Sequence, residues 1–256
     1  MPTSALAADS GAPLIDQLNQ AVAVEQTAPA AQNDSVDLPG EGSEAAALQL
    51  PNGQTLSMGV PAQGKASDAV GTVMFDGTAP STNLAVQSTA DGLRALISIE
   101  SPAAPERYTF PIGGDVATLS PEADGGVVAL DAAGTPIARL AAPWARDATG
   151  RDVPTYFEID GTTVVQVVKH HGGGFAYGIT ADPFWSTAWK VAKCAASVAA
   201  VFWVGSKAYR IIKDLGGVGR AARILVGAGN AHDFIATVGT AGVGLLGIDS
   251  VHKNCF

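Results

Sequence analysis

The chain has 256 residues, 47% hydrophobic and 15% charged. That is enough apolar material for a packed core in one or two domains, and it excludes a wholly disordered polymer. The formal charge is −9, and its acidic N-terminal part argues against nucleic acid as the main ligand. The charge is unevenly spread: residues 1–182 carry 7 Lys/Arg against 21 Asp/Glu, a net of −14, whereas residues 183–256 carry 8 against 3, a net of +5. Two modules with different partners are expected, the basic one facing an anionic membrane or an envelope polymer.

Residues 1–45 are rich in Ala, Pro, Gln, Ser, Asp and Gly. Ala5-Leu6-Ala7 has the small-x-small spacing of a signal-peptide cleavage site, although neither a basic n-region nor an apolar h-region of about 7–15 residues precedes it. "APLIDQLNQAVAVEQ" has the makings of a short helix. "TAPAAQNDSVDLPGEGSE" has no apolar period and reads as linker. The segment 1–45 is expected to be disordered.

From residue 46 to 182 the signal is strand and turn. Short β-branched or apolar runs recur ("AVGTVMF", "TNLAVQS", "LRALISIE", "RYTFPI", "GVVALD", "TYFEID", "TTVVQVVKH"), with Asp76-Gly77, Asp91-Gly92, Asp124-Gly125 and Asp160-Gly161 between them. Asp-Gly between apolar runs marks a hairpin. An antiparallel sandwich or meander follows.

His170 and His171, before Gly172-Gly173-Gly174, raise the question of a catalytic or metal site. On a strand over 162–171 their side chains point to opposite faces, so they are expected to be polar strand ends before a glycine turn. The other histidines, His232 and His252, lie in the tail, and no H-E-x-x-H or Cys-His cluster is present. Asp147, Asp152 and Glu158 crowd one region as a candidate carboxylate pair or Ca²⁺ site; scattered turn carboxylates are more often solvated. No catalytic residue, metal ion or cofactor is expected.

"APWARDATGRDVPTYFEIDGTTVVQVV", Ala142 to Val168, with "ITADPFW" after it, resembles a segment of secreted actinobacterial proteins with the pattern APWAxDAxGxxVPTxYxxxGxxLxQ followed by an apolar strand and ADPxW. The resemblance covers about 45 residues and implies export and modularity, with no catalytic residues to carry over. Read physically, Pro143 and Pro154 bracket a turn-rich loop, and Trp144 and Tyr156 are expected packing anchors.

From Pro183 the texture becomes helical. Asp182-Pro183 has the residue types of an N-cap and first helical position, and Gly216-Gly217 those of a helix stop. "GVGRAA", 217–222, mimics a dinucleotide fingerprint but follows "YRIIKDL", a helix rather than a strand, so it reads as a helix–turn–helix joint. Two uncharged runs, 194–205 and 234–248, are shorter than the roughly 18 residues of a spanning helix. Lys207, Arg210, Lys213, Arg220 and Arg223 cluster between them as membrane or anion contacts. Ala236, Thr240 and Gly244, at i, i+4 and i+8, form a small-residue face for helix packing. Cys194 and Cys255 lie near the two ends of this module and read as a disulfide formed in an oxidising compartment, with two buried free thiols as the alternative.

The expected architecture is α+β: a segment 1–45, an antiparallel β-rich domain at 46–182, and a small disulfide-stapled α-helical domain at 183–256. The expected function is that of a secreted, non-enzymatic, bacteriocin-like antibacterial effector whose tail acts on anionic membranes, for which an immunity protein would be the producer's partner. The competing expectation is an envelope-binding or structural protein with the tail as adaptor.

Overall fold

The computed structural model describes residues 33–50, 53–69, 71–186, 194, 197–202, 206–228, 231–238 and 243–255. The expected helix in "APLIDQLNQAVAVEQ" lies outside these residues. The chain divides into two compact units that meet in sequence at Ser186 and Thr187, with Gln49–Gln54 grouped with the second.

The first unit is built of antiparallel strands in two sheets. One sheet has the order β1 (Val36–Asp37), β2 (Ala46–Gln49), β3 (Thr55–Met58), β8 (Arg107–Gly114), β14 (Thr163–Val168) and β13 (Thr155–Asp160). The other has the order β4 (Ala62–Ala69), β5 (Thr72–Gly77), β6 (Thr82–Thr89), β7 (Gly92–Ile99), β16 (Phe184–Ser186), β11 (Pro136–Leu140), β10 (Val127–Leu130) and β9 (Thr118–Pro121). β12 (Trp144–Arg146) pairs with β15 (Ile179–Asp182), and β15 also pairs with β7.

Alternation decides the faces. In β8, Tyr108, Phe110 and Ile112 are buried while Arg107, Thr109 and Pro111 are exposed, the period-2 pattern of a half-buried strand. β7 is buried at every residue and holds the centre of its sheet.

Three local expectations differ from the structure. Asp182-Pro183 does not start a helix: the sheet runs on to Ser186, and Phe184–Ser186 pairs with Gly92–Arg94 on β7. Trp185 is fully buried there, and burial of an indole outweighs a local capping preference. Pro183, with no N–H to donate, falls at the break between β15 and β16. Asp76-Gly77 is strand, pairing through Asp76 with Asn83, and the turn follows at 78–81. The linker expected through residue 45 is ordered from residue 33: Val36 and Asp37 pair with Leu48 and Ala47, and Glu41 bridges to Lys65 on β4. Backbone bonds, not apolar burial, hold that stretch, since Gly42 N–H donates to Gly64 O at 2.8 Å and Ala66 N–H to Gly40 O at 3.0 Å.

One hairpin turn recurs. At Glu122–Gly126, Asp131–Thr135 and Asp147–Arg151 the first N–H donates to the fifth carbonyl, and the fourth residue is a glycine whose N–H returns to the first carbonyl. In the last of these Gly150 has φ 84, a conformation costly to a residue with a Cβ.

The second unit contains helical residues 197–201 and helices α1 (Lys207–Asp214), α2 (Val218–Ala228), α3 (Ala231–Val238), α4 (Val243–Leu246) and α5 (Asp249–Cys255). Ser206 caps α1, its hydroxyl accepting from Tyr209 N–H at 3.0 Å. α1 ends where Gly216 N–H donates to Lys213 O and Gly217 N–H to Ile212 O. Val198, Ile212, Leu225, Phe234, Leu245 and Val251 are buried together with both cysteines.

Candidate functional site

The carboxylates expected to crowd one loop are each engaged by the fold. Asp147 is buried. Its Oδ1 accepts from Thr149 Oγ1 (2.6 Å), Thr149 N–H (2.9 Å) and Arg151 N–H (3.0 Å), and its Oδ2 from Ala176 N–H (3.2 Å) and Arg151 Nε (3.3 Å). The Thr149 hydroxyl first, then these backbone amides, hold its carboxyl well below the usual carboxylate range against the opposing effect of burial. Arg151 continues the link, donating to Gly174 O at 2.8 Å and lying 4.3 Å from the Phe175 ring centroid. Asp152 pairs with Arg146 at 3.4 Å, and Glu158 with Arg107 at 2.7 Å. Among the described residues no group of three His, Cys, Asp or Glu is placed to hold a metal ion.

The same contacts account for the residues of the segment Ala142–Val168. Asp147, Gly150 and Arg151 build a turn. Gln166, fully buried, donates to Thr155 Oγ1 at 3.2 Å. Trp185 fills the sheet centre, and Trp144 packs half-buried beside Ala85 and Leu96. These are scaffold roles. Tyr156 is not an anchor: it is 44% exposed.

The histidines form a clasp instead of two strand ends. β14 stops at Val168, so the opposite-face argument does not apply, and the rings meet edge-on with centroids 4.3 Å apart. His170 is 1% exposed, with Nε2 3.1 Å from Pro105 O and Nδ1 3.2 Å from the Tyr177 hydroxyl. One neutral tautomer satisfies both contacts, donating to the carbonyl and accepting from the phenol. His171 Nε2 lies 3.1 Å from both Pro102 O and Ala104 O. Glu106 accepts from Lys169 Nζ at 3.0 Å and His171 N–H at 3.1 Å. Burial lowers the His170 pKa, with the neighbouring His171 adding to it. The β7–β8 and β14–β15 connections are thereby tied together. Sequence reasoning missed the clasp because its acceptors are backbone carbonyls more than 60 residues away.

In the helical unit Cys194 and Cys255 form a disulfide across 61 residues of chain, with Cα atoms 4.6 Å apart. Arg210, Lys213 and Arg220 are exposed on α1 and α2; Lys207 begins α1 and Arg223 lies within α2. The small-residue face is not continuous. Ala236 is exposed, Thr240 lies outside the described residues, and Gly244 sits against α1, where a Cβ would come within 2.9 Å of Ile211 Cδ1. Of residues 217–222, Gly217 ends the α1–α2 turn and 218–222 form the start of α2, with a helix and not a strand before them. His232, exposed on α3, lies 3.2 Å from its neighbour Asp233. The apolar run 234–248 takes in the second half of α3 and all of α4, and no described helix is long and apolar enough to cross a membrane.

A scan against protein-family models finds no match to the chain, and a search of curated proteins finds none either.

Proposed function

We propose that the chain is an exported, non-enzymatic effector in which the β-rich unit serves as a rigid carrier and the basic helical unit acts on anionic membranes, in the manner of a bacteriocin. The observation that carries this reading is the composition and closure of residues 183–256: a net charge of +5, Arg210, Lys213 and Arg220 turned to solvent, and apolar side chains held inside by Cys194–Cys255. Cations on the outside attract an anionic surface at about 1 kcal/mol each near it. The apolar interior supplies what would insert if the helices opened. A disulfide favours an oxidising compartment.

Helices α1 to α5, of four to eleven residues, with their buried apolar residues inward, favour a second reading: a compact adaptor that binds an anionic envelope polymer without opening. Dye-loaded vesicles separate the two. Added to vesicles containing anionic lipid, the full chain is expected to release dye, less so with rising salt, and to leave zwitterionic vesicles intact. Binding without release at any anionic content would transfer the assignment to the adaptor. Replacing Arg210 and Lys213 by Glu is expected to lower release by several-fold, and unchanged release would remove the basic face from the mechanism.

A further inference from the structure

The ten-stranded sheet is closed on both faces. On one, Leu84, Val86, Leu93, Ala95, Ile97 and Trp185 are buried, a wholly apolar set. By alternation the other face carries Thr72, Met74, Ala85, Gln87, Arg94 and Leu96. An antiparallel sheet commonly packs one face on a core and wets the other. Here the second face is as dry as the first: Ala85, Gln87 and Leu96 are 0% exposed and Arg94 is 1% exposed.

The ladder arranges this second face in rows. Met74 stands opposite Ala85 and Ala85 opposite Leu96, an apolar row against which Trp144 packs from β12. A polar row runs beside it. Gln87 Nε2 donates to Thr72 Oγ1 at 3.1 Å, Arg94 Nη2 donates to Gln87 Oε1 at 2.8 Å, and the Phe184 ring centroid lies 5.7 Å from the guanidinium carbon. Keeping a guanidinium and an amide this dry takes a cover that excludes water.

The cover is part of the chain itself, because the burial is that of a single copy. Two observations say which part. Met1–Leu48 fall in the same compact unit as these strands, whereas the residues from Thr187 onward fall in the other. The chain also enters at this face: Asn33 Nδ2 donates to Thr89 O at 2.6 Å, and Thr89, 1% exposed, follows Gln87 on the same face of β6.

We infer that residues 13–26, which lie outside the described residues, are a strap that closes this face, seated as a helix across β5, β6 and β7. Leu14, Ile15, Leu18, Ala21 and Val22 recur at i, i+1, i+4, i+7 and i+8, the spacing of one apolar helix face, and the row of Met74, Ala85 and Leu96 is what that face meets. A helix over 13–26 is about 21 Å long, enough to cross strands spaced at about 4.8 Å. Residues 27–32 reach about 20 Å when extended, which leaves room to turn from the strap to Asn33. Charge agrees with the assignment. Residues 1–32 hold Asp9, Asp16 and Glu25 and no Lys or Arg, and the row nearest Asn33 carries the buried Arg94 cation.

Hydrogen exchange of the full chain, read by mass spectrometry, tests the seat. An isolated helix of this length barely holds in water, so protection of residues 13–26 reports docking. These amides are expected to exchange roughly tenfold or more slowly than in a synthetic peptide of the same residues. Leu18→Glu puts a charge on the apolar face and is expected to remove that protection. It is also expected to raise the fluorescence of an added apolar dye several-fold as the sheet face opens, with the sheet's circular dichroism unchanged. Gln20→Glu adds the same charge on the opposite side of the helix and is expected to leave both readings as in the unmodified chain. Residues 13–26 exchanging as fast as the free peptide would overturn the inference and pass the cover to another segment. Equal loss of protection in the two variants would overturn the apolar seat.

Discussion

The carbonyl oxygen of Trp185 occupies the space that a side chain on residue 92 would need: a Cβ placed on Gly92 would lie 2.0 Å from it. Gly92 opens β7 and pairs with Ser186, so the strand that ends the β unit packs directly on the backbone of the strand at its centre. Gly92→Ala is expected to push β16 away from β7 and to cost about 1–3 kcal/mol, the usual range for overpacking. Gly40→Ala, where the added Cβ would meet Glu44 Oε2 at an ordinary 3.6 Å, is expected to stay within about 0.5 kcal/mol. Thermal melts of the two variants check this. Equal melting temperatures would mean that the sheet centre is more yielding than its geometry implies.

The histidine clasp makes the β unit sensitive to acid. Burial holds the His170 pKa below its ordinary value. The folded state therefore binds a proton less readily than the unfolded chain. The stability His170 contributes is complete above the ordinary histidine pKa of about 6.5 and is lost as pH falls from there toward the lowered folded value. The groups facing it are His171, Glu106 and Tyr177. The Pro105 carbonyl, which also contacts the ring, and Glu106 favour the charged form, and burial with His171 opposes them. His170→Ala is expected to cost about 1–3 kcal/mol at pH 7.5 by orphaning Pro105 O and the Tyr177 hydroxyl, and to flatten the decline in melting temperature between pH 7 and pH 5. Identical pH slopes in the two proteins would show that His170 does not titrate against the fold.

Asp147 acts in the same direction but lower on the pH scale. Its carboxyl titrates well below the ordinary carboxylate range because Thr149 and three backbone N–H groups donate to it. Its contribution is complete above the ordinary carboxylate pKa and disappears only as acid protonates the folded form. Asp147→Ala is expected to lower the melting temperature at neutral pH and to speed hydrogen exchange at the amides of Thr149, Arg151 and Ala176. Exchange unchanged at Ala176 would mean that the 171–178 loop is held by something other than this carboxylate.

What the sequence made legible was the part governed by local chemistry. Alternation in "RYTFPI" and "TTVVQVV" became β8 and β14, and Asp124-Gly125 and Asp160-Gly161 fall at turns between paired strands. The failures have one physical form. Asp76-Gly77, Asp182-Pro183 and His170 carry strong local signals for turn, helix cap and polar strand end. Each is overruled by a partner outside the local motif: Asn83 across the adjoining hairpin, β7 paired with the strand of Trp185, and Pro105 O against the imidazole. The cysteines were legible because the chain holds only two.

The disulfide is expected to decide the stability of the helical unit and to leave the β unit untouched. Cys194 and Cys255 close a loop of 61 residues, which in a chain-entropy treatment contributes roughly 4 kcal/mol by restricting the unfolded unit. The helices it gathers are short, and helices under about 12–15 residues hold together through packing. Packing here relies on a small set of side chains around Phe234, Leu225 and Val251, so loss of the cross-link removes a large share of the unit's stability. The sheets contain no cysteine and keep their own core. Reduction is therefore expected to split a calorimetric trace, moving a helical transition down in temperature while the β transition stays in place. Cys194→Ser with Cys255→Ser should reproduce that shift without reductant. On the membrane-active reading, the loosened form should also release dye from anionic vesicles at lower protein concentration than the oxidised form. Non-reducing mass spectrometry after alkylation decides whether the bond is present in the purified chain. A single transition unmoved by reduction, with the bond shown to be broken, would mean that helix packing alone holds the unit closed.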